Sequence, residues 1–180
     1  MKTIFNTNFY YKFTPPNSKE LIRLLDKVTE NESENKLKWD IKCSVNTIQL
    51  KLENWAEHLV PSLRIAAKHF SHNGDFFIDN PWINWYSYNG FQEIHCHPYF
   101  DIVGVFFINE GDNFGKLYFQ DRMSGLLNDN VLKYLKISDT YIPKVAAGDL
   151  IIFPSYLFHG VTPHRSDKIR KTFSFNLRFA

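Results

Sequence analysis

The sequence predicts a mainly β protein with its helices gathered in the N-terminal part, and three observations carry that expectation. Past Asn73 and Gly74, short aromatic and β-branched segments alternate with Gly, Pro, Asn and Asp. Before that point, two stretches carry apolar residues at helical spacing. The last segment, RKTFSFNLRF, alternates polar with apolar, the period of a strand with two unlike faces. Many short strands at close spacing suit a sandwich, a barrel or a jelly roll.

The elements follow in order. Residues 2–13 mix Ile4, Phe5, Phe9, Tyr10, Tyr11 and Phe13 with polar positions and run into Pro15 and Pro16, so an opening strand is expected. Ser18 to Glu30 places Leu21, Leu24, Leu25 and Val28 on one helical face, with Ser18 as the cap. The polar stretch NESENKLKWD reads as a loop. From Thr47 to about His72, the residues Ile48, Leu52, Trp55, Leu59, Leu63, Ala66 and Phe70 recur every three or four positions, predicting a core-facing helix that Pro61 kinks or divides. His58, His69 and His72 on or beside it lack a second ligand at sensible spacing and read as ordinary surface or packing groups. Strands are expected at 76–78, 82–88, 91–97, 102–108, 116–120, 149–153, 156–161 and 170–179, with a weakly helical connection over 122–141.

At 180 residues with 44% hydrophobic content, the chain is long enough for one sizeable core. We expect one domain over 1–180, in which 1–75 supply an N-terminal strand and supporting helices and 76–180 the β core. A formal charge of +2 gives no electrostatic claim on nucleic acid. Two cysteines without a CxxC pair give neither a disulfide framework nor a zinc knuckle. Lacking an apolar leader-like stretch or a run of about 18 apolar residues, the chain is expected in the cytoplasm, away from membranes.

The chemistry concentrates in FQEIHCHP, residues 91–98. Strand alternation puts Phe91, Glu93, His95 and His97 on one face, so two imidazoles project together and could share a metal ion. A third, His159, arrives from FPSYLFHGVTP, residues 153–163. The final strand carries Arg170, Thr172, Ser174, Asn176 and Arg178 on one face; a solvated sheet surface would give the same alternation.

Taken in order, these residues resemble the Fe(II) and 2-oxoglutarate-dependent oxygenases, in particular a branch of small proteins frequent in phage genomes. The resemblance rests on Trp82-x-Asn84, the HxHP of His95 to Pro98, the GxLxF of Gly115 to Phe119, the FPSxLxHxVxP of Phe153 to Pro163, and RKTFSFN from Arg170 to Asn176. It implies a double-stranded β-helix, a cupin-like jelly-roll barrel flanked by helices, with iron at its open end.

The same resemblance implies a hydroxylase that couples oxidative decarboxylation of 2-oxoglutarate to oxidation of a substrate C–H bond, with molecular oxygen as oxidant. Its iron ligands would be His95, His97 and His159. The family expects a carboxylate where His97 stands, so Asp101 and then Glu93 are alternative third ligands. Arg170, eleven residues after His159, falls at the position that grips the far carboxylate of 2-oxoglutarate, with Thr172 and Asn84 as further cosubstrate contacts and Asn176 near the metal or cosubstrate. Trp85, Tyr86 and Phe107 are candidate aromatic lining, and His164 and Arg165 read as surface groups in a turn. A three-histidine dioxygenase independent of 2-oxoglutarate and a non-catalytic binding module are the alternatives. A protein side chain, a nucleobase and a small molecule all remain open as substrate.

Overall fold

The computed structural model describes residues 8–28, 39, 43–69, 75–79, 81–122, 129–136 and 138–180. Its elements in chain order are β1 (Tyr11–Phe13), α1 (Ser18–Leu25), β2 (Cys43–Ser44), β3 (Asn46–Gln49), a 3₁₀ turn at Leu52–Asn54 and α2 (Ala56–His69). There follow β4 (Phe76–Ile78), β5 (Trp82–Tyr86), β6 (Phe91–His95), β7 (Ile102–Phe107), β8 (Leu117–Gln120), α3 (Asp129–Leu135), β9 (Thr140–Tyr141), β10 (Leu150–Pro154), β11 (Phe158–Val161) and β12 (Arg170–Phe179).

The strands form two antiparallel sheets. The larger runs β1-β10-β7-β12-β5-β3, with β4 paired to the end of β12; the smaller runs β2-β6-β11-β8-β9. Their facing surfaces enclose Val103, Val105, Phe107, Leu117, Phe119, Ile151 and Phe153. The outer face of the larger sheet carries Ile83, Trp85, Phe106, Ile152, Phe173 and Phe175, which pack with Leu21 and Leu25 of α1 and Leu59 and Leu63 of α2. Adjacent residues on one strand thus serve two cores, as strand alternation requires. Gly104 lies where a Cβ would strike the Phe175 ring at 2.1 Å, so a side chain there would push the outer core apart.

This architecture is the barrel expected from the sequence, and several boundaries move. The helix expected from Thr47 begins at Ala56, because Asn46–Gln49 pairs with Trp82–Trp85 as an edge strand. Ile48, Leu52 and Trp55 kept helical spacing because strand, turn and helix all face one core. α2 runs on through Pro61, which removes one hydrogen bond without dividing the helix. α1 ends at Leu25, and Ser18 is its first residue, not its cap. The Asn17 side chain in the capping position makes no capping bond and donates instead to the His58 carbonyl at 2.9 Å, tying α1 to α2. β5 stops at Tyr86 and β6 at His95, each two residues early. His72 and the expected loop over 31–40, apart from Trp39, lie outside the described residues. No described helix is long and apolar enough to cross a membrane.

Candidate metal centre

β6 and β11 bring the histidines together. His95 and His159 are direct cross-strand partners, with ring centroids 4.4 Å apart. His97 lies beyond the end of β6, where its N–H donates to the Ser155 carbonyl at 2.9 Å; its ring is 5.2 Å from His95 and 5.1 Å from His159. One ring nitrogen from each lies within 4.8 Å of the others, close enough for one ion between them.

Hydrogen bonds to the backbone orient two of these rings. His95 Nδ1 donates to the Glu93 carbonyl and His159 Nδ1 to the Leu157 carbonyl, both at 2.8 Å. In a neutral imidazole this fixes the tautomer and leaves the Nε2 lone pair free. Asn176 lies beside the third ring, His97. Burial holds all three rings toward the neutral form: it lowers the His95 pKa, with the His95 ring's added repulsion it takes His97 down to about 4, and it takes His159 well below the ordinary value. Trp82 stacks on His97 at 6.0 Å, and Phe153 meets His159 edge-on at 4.8 Å.

A β-bulge changes which residues of FQEIHCHP look inward. His159 pairs with His95, but Val161, two residues on, pairs with Gln92, three residues back. The extra residue on β6 breaks the alternation. Gln92 is therefore buried beside the histidines and accepts from the Tyr86 hydroxyl at 2.5 Å, while Glu93 is exposed. The expected common face of Glu93 and His95 is corrected by this bulge. Asp101 is exposed, and its carboxylate accepts the Phe179 N–H at 2.8 Å. Among the described residues, neither carboxylate joins the three-histidine group.

The polar face of β12 turns into the barrel, not to solvent. Arg170, Thr172, Ser174 and Asn176 are all buried, and the chain becomes exposed only from Arg178. Arg170 lies over the Tyr86 ring at 4.5 Å and is 5.7 Å from the Phe107 ring. Burial lowers its pKa, opposed by the Tyr86 oxygen; the Tyr86 hydroxyl is itself pushed up to about 12, chiefly by burial. Arg170 Nη1 and Asn176 Oδ1 are buried with no hydrogen-bond partner among the described residues. A buried donor left unpaired costs about 1–3 kcal/mol, more when charged, so a ligand acceptor is the economical explanation for Arg170.

One cleft collects His97, His159, Arg170, Thr172, Asn84 and Trp82, with Val103, Val105, Leu117 and Val161 as apolar walls. Asn84 Oδ1 accepts from Thr47 at 2.6 Å, and Trp39 donates to the same Thr47 hydroxyl at 2.9 Å, so Asn84 belongs to a network beside the cleft. Tyr86 lines this cleft and Phe107 the space beneath Arg170, but Trp85 faces the helices. Sequence reasoning missed Trp39 and Gln92, and used Trp82 as a motif position without giving it a place in the site. Trp82 was legible, since it shares strand parity with Asn84 and Tyr86; the bulge that turns Gln92 inward leaves no sequence signal.

The 2OG-Fe(II) oxygenase family model matches residues 80–176, over half of the chain. No curated protein matches it by sequence. Among solved structures, the fold is similar to a 2OG-Fe(II) oxygenase-family oxidoreductase from Burkholderia pseudomallei, with TM-score 0.69 at 11% identity, covering 94% of this chain and 84% of that one. It is also similar to a prolyl-4-hydroxylase from Pseudomonas putida, with TM-score 0.63 at 17% identity and coverage of 96% and 93%. A third is HygX from Streptomyces hygroscopicus, crystallised with nickel and 2-oxoglutarate, with TM-score 0.67 at 10% identity and coverage of 97% and 84%.

Proposed function

The chain belongs to the 2OG-Fe(II) oxygenase family, and from that premise we propose that it is a hydroxylase whose iron is held by His95, His97 and His159 without a protein carboxylate. The observation that carries this reading is one cleft bordered both by converging, neutral imidazoles and by a buried guanidinium with an unused donor. The donor set fits Fe(II): imidazole is a good ligand for it, and three imidazoles would leave coordination positions for cosubstrate and oxygen. When bound, the iron supplies the oxidative chemistry, in which 2-oxoglutarate is decarboxylated to succinate and carbon dioxide and a substrate C–H bond is oxidised by oxygen.

The chain's own residues supply position and dryness. The Glu93 and Leu157 carbonyls orient the His95 and His159 rings, and Trp82 holds His97 flat against the wall. Arg170 offers its planar fork to the far carboxylate, and Thr172, on the same face, adds a hydroxyl. Tyr86 and Phe107 exclude water around that ion pair and so strengthen it.

Charge gives this centre a distinct property. Three neutral ligands leave the full 2+ of iron uncompensated in a buried site that already holds Arg170, whereas the dianion of 2-oxoglutarate offsets it. Iron and cosubstrate should therefore bind with strong mutual reinforcement. An anaerobic titration tests this: Fe(II) with 2-oxoglutarate should give a weak visible absorption band, and admission of air should yield succinate. No band and no succinate would overturn the reading.

The absence of a carboxylate from the described cluster favours one second reading, an iron dioxygenase that needs no 2-oxoglutarate. It predicts iron binding unaffected by 2-oxoglutarate and by Arg170→Met. We take residues 1–180 as one catalytic domain, supported by the pairing of β1 and β3 into the larger sheet and β2 into the smaller. We also place its work in the cytoplasm, of an infected host if the protein is phage-encoded, on the strength of free Cys43 and Cys96.

A further inference from the structure

Arg170 borders a second cleft at the opposite end of the barrel from His97. The register fixes the two ends: Leu177 of β12 pairs with Ile102 of β7, next to the His97 turn, whereas Thr172 pairs with Phe107 at the far end of β7. The far cleft has a volume of about 450 Å³ and is walled by Phe107, Phe114, Leu117, Ile142, Pro143 and Val145. Lys116 and Lys144 line it and are exposed. Glu110 also lines it, with its carboxylate accepting the Ala147 N–H at 3.2 Å. Three cations against one engaged carboxylate leave the cleft electropositive.

We propose that this far cleft binds a small carboxylate with an apolar tail, its anion directed at Arg170 and its tail against the aromatic and aliphatic wall. Two observations meet here: a roomy, mostly apolar cleft, and a buried guanidinium on its border with an unused N–H. The charge pattern selects an anion, and the walls select an apolar body over a hydrated inorganic ion. One guanidinium neutralised by one carboxylate offers a second little in a dry interior, so an anion in the far cleft weakens one approaching from the histidine side. That antagonism toward 2-oxoglutarate rests on the function proposed above; binding in the far cleft does not.

The test uses hexanoate, which lacks the 2-oxo group needed to chelate iron, titrated calorimetrically into metal-free protein and into protein loaded with Fe(II) and 2-oxoglutarate. Ala146→Trp fills the far cleft from an exposed position that lines it and belongs to no part of the metal site. Expected are one hexanoate site in the metal-free protein, weakening of about tenfold or more in Ala146→Trp and in the loaded protein, and 2-oxoglutarate affinity of the variant within about twofold of wild type. No hexanoate binding, or equal binding by Ala146→Trp, overturns the far site. If Ala146→Trp weakens hexanoate while Arg170→Met leaves 2-oxoglutarate binding intact, the far site stands and the proposed cosubstrate role of Arg170 falls.

Discussion

His159 and His164 lie five residues apart in sequence, both are buried, and their hydrogen bonds are arranged in opposite ways. His164 Nδ1 accepts the Gly115 N–H at 3.1 Å, so its Nε2 carries the proton and donates to the Lys168 carbonyl at 2.7 Å. Both nitrogens are used, and the backbone N–H also donates to the Gly90 carbonyl at 2.8 Å; the residue ties three loops together. His159 gives one nitrogen to a carbonyl and shares its space with two other imidazoles. A buried histidine with both nitrogens engaged is a structural strut, whereas one with a free lone pair facing others of its kind is available to a metal ion. Burial alone does not separate the two.

Exchanging these roles by mutation gives the largest expected contrast. His159→Ala should cost more in Fe(II) affinity than the ~10–100-fold lost with an outer partner of a metal ligand, with little change in the stability of the metal-free protein. His164→Ala should instead cost about 2–4 kcal/mol of stability, through a cavity and two orphaned backbone groups, while iron affinity holds in the folded protein. Anaerobic Fe(II) titration and denaturant unfolding read the two axes separately. The comparison breaks if both variants move both readouts alike.

Arg170 and Asp149 extend the contrast to charged groups. Asp149 is buried but fully served, by Thr14 at 2.9 Å, Lys12 at 3.4 Å and the Ala146 N–H at 3.0 Å. Arg170 keeps an unpaired donor. Arg170→Met should therefore weaken 2-oxoglutarate about 100-fold yet raise the stability of the ligand-free protein by about 1 kcal/mol, since an apolar side chain of similar volume relieves an unpaired buried charge. Calorimetry and thermal unfolding of the same variant check both halves.

The depressed histidine pKa values set a smaller, pH-dependent effect. His97 titrates at about 4 in the folded chain against an ordinary value of 6.5, so between those pH values the unfolded chain binds more protons. Stability of the metal-free protein is full above about 6.5 and is lost as pH falls toward 4. His97→Phe should flatten that slope, as denaturant melts at several pH values would record.

Much of this was legible in the sequence. The strict alternation of RKTFSFNLRF gave β12 its bounds, because ten residues of period two leave no competing pattern. HxH, His159 and Arg170 pointed to the cluster. What alternation could not supply was the bulge in β6, which depends on register against β11 and reverses the places of Gln92 and Glu93. Nor could it show that Ile48 continues a sheet, because residues from a strand and from a helix present the same spacing when both face one core. His164 read as a turn residue, since both bonds that bury its ring are made to residues outside that turn or at its far side.

The smallest effects should come from the carboxylates once expected at the metal. Asp101→Asn and Glu93→Gln should leave Fe(II) affinity within about twofold and stability within about 0.5 kcal/mol, as for ordinary surface changes. Loss of iron from either would return a carboxylate to the centre.

The most direct test counts the imidazoles on iron. Pulsed electron paramagnetic resonance of the nitric oxide adduct, with 2-oxoglutarate bound and histidine nitrogens isotopically labelled, distinguishes three coordinated rings from two. Three are expected for wild type and two for His97→Ala; two rings in wild type, with a carboxylate oxygen in the remaining place, would contradict a centre built from His95, His97 and His159.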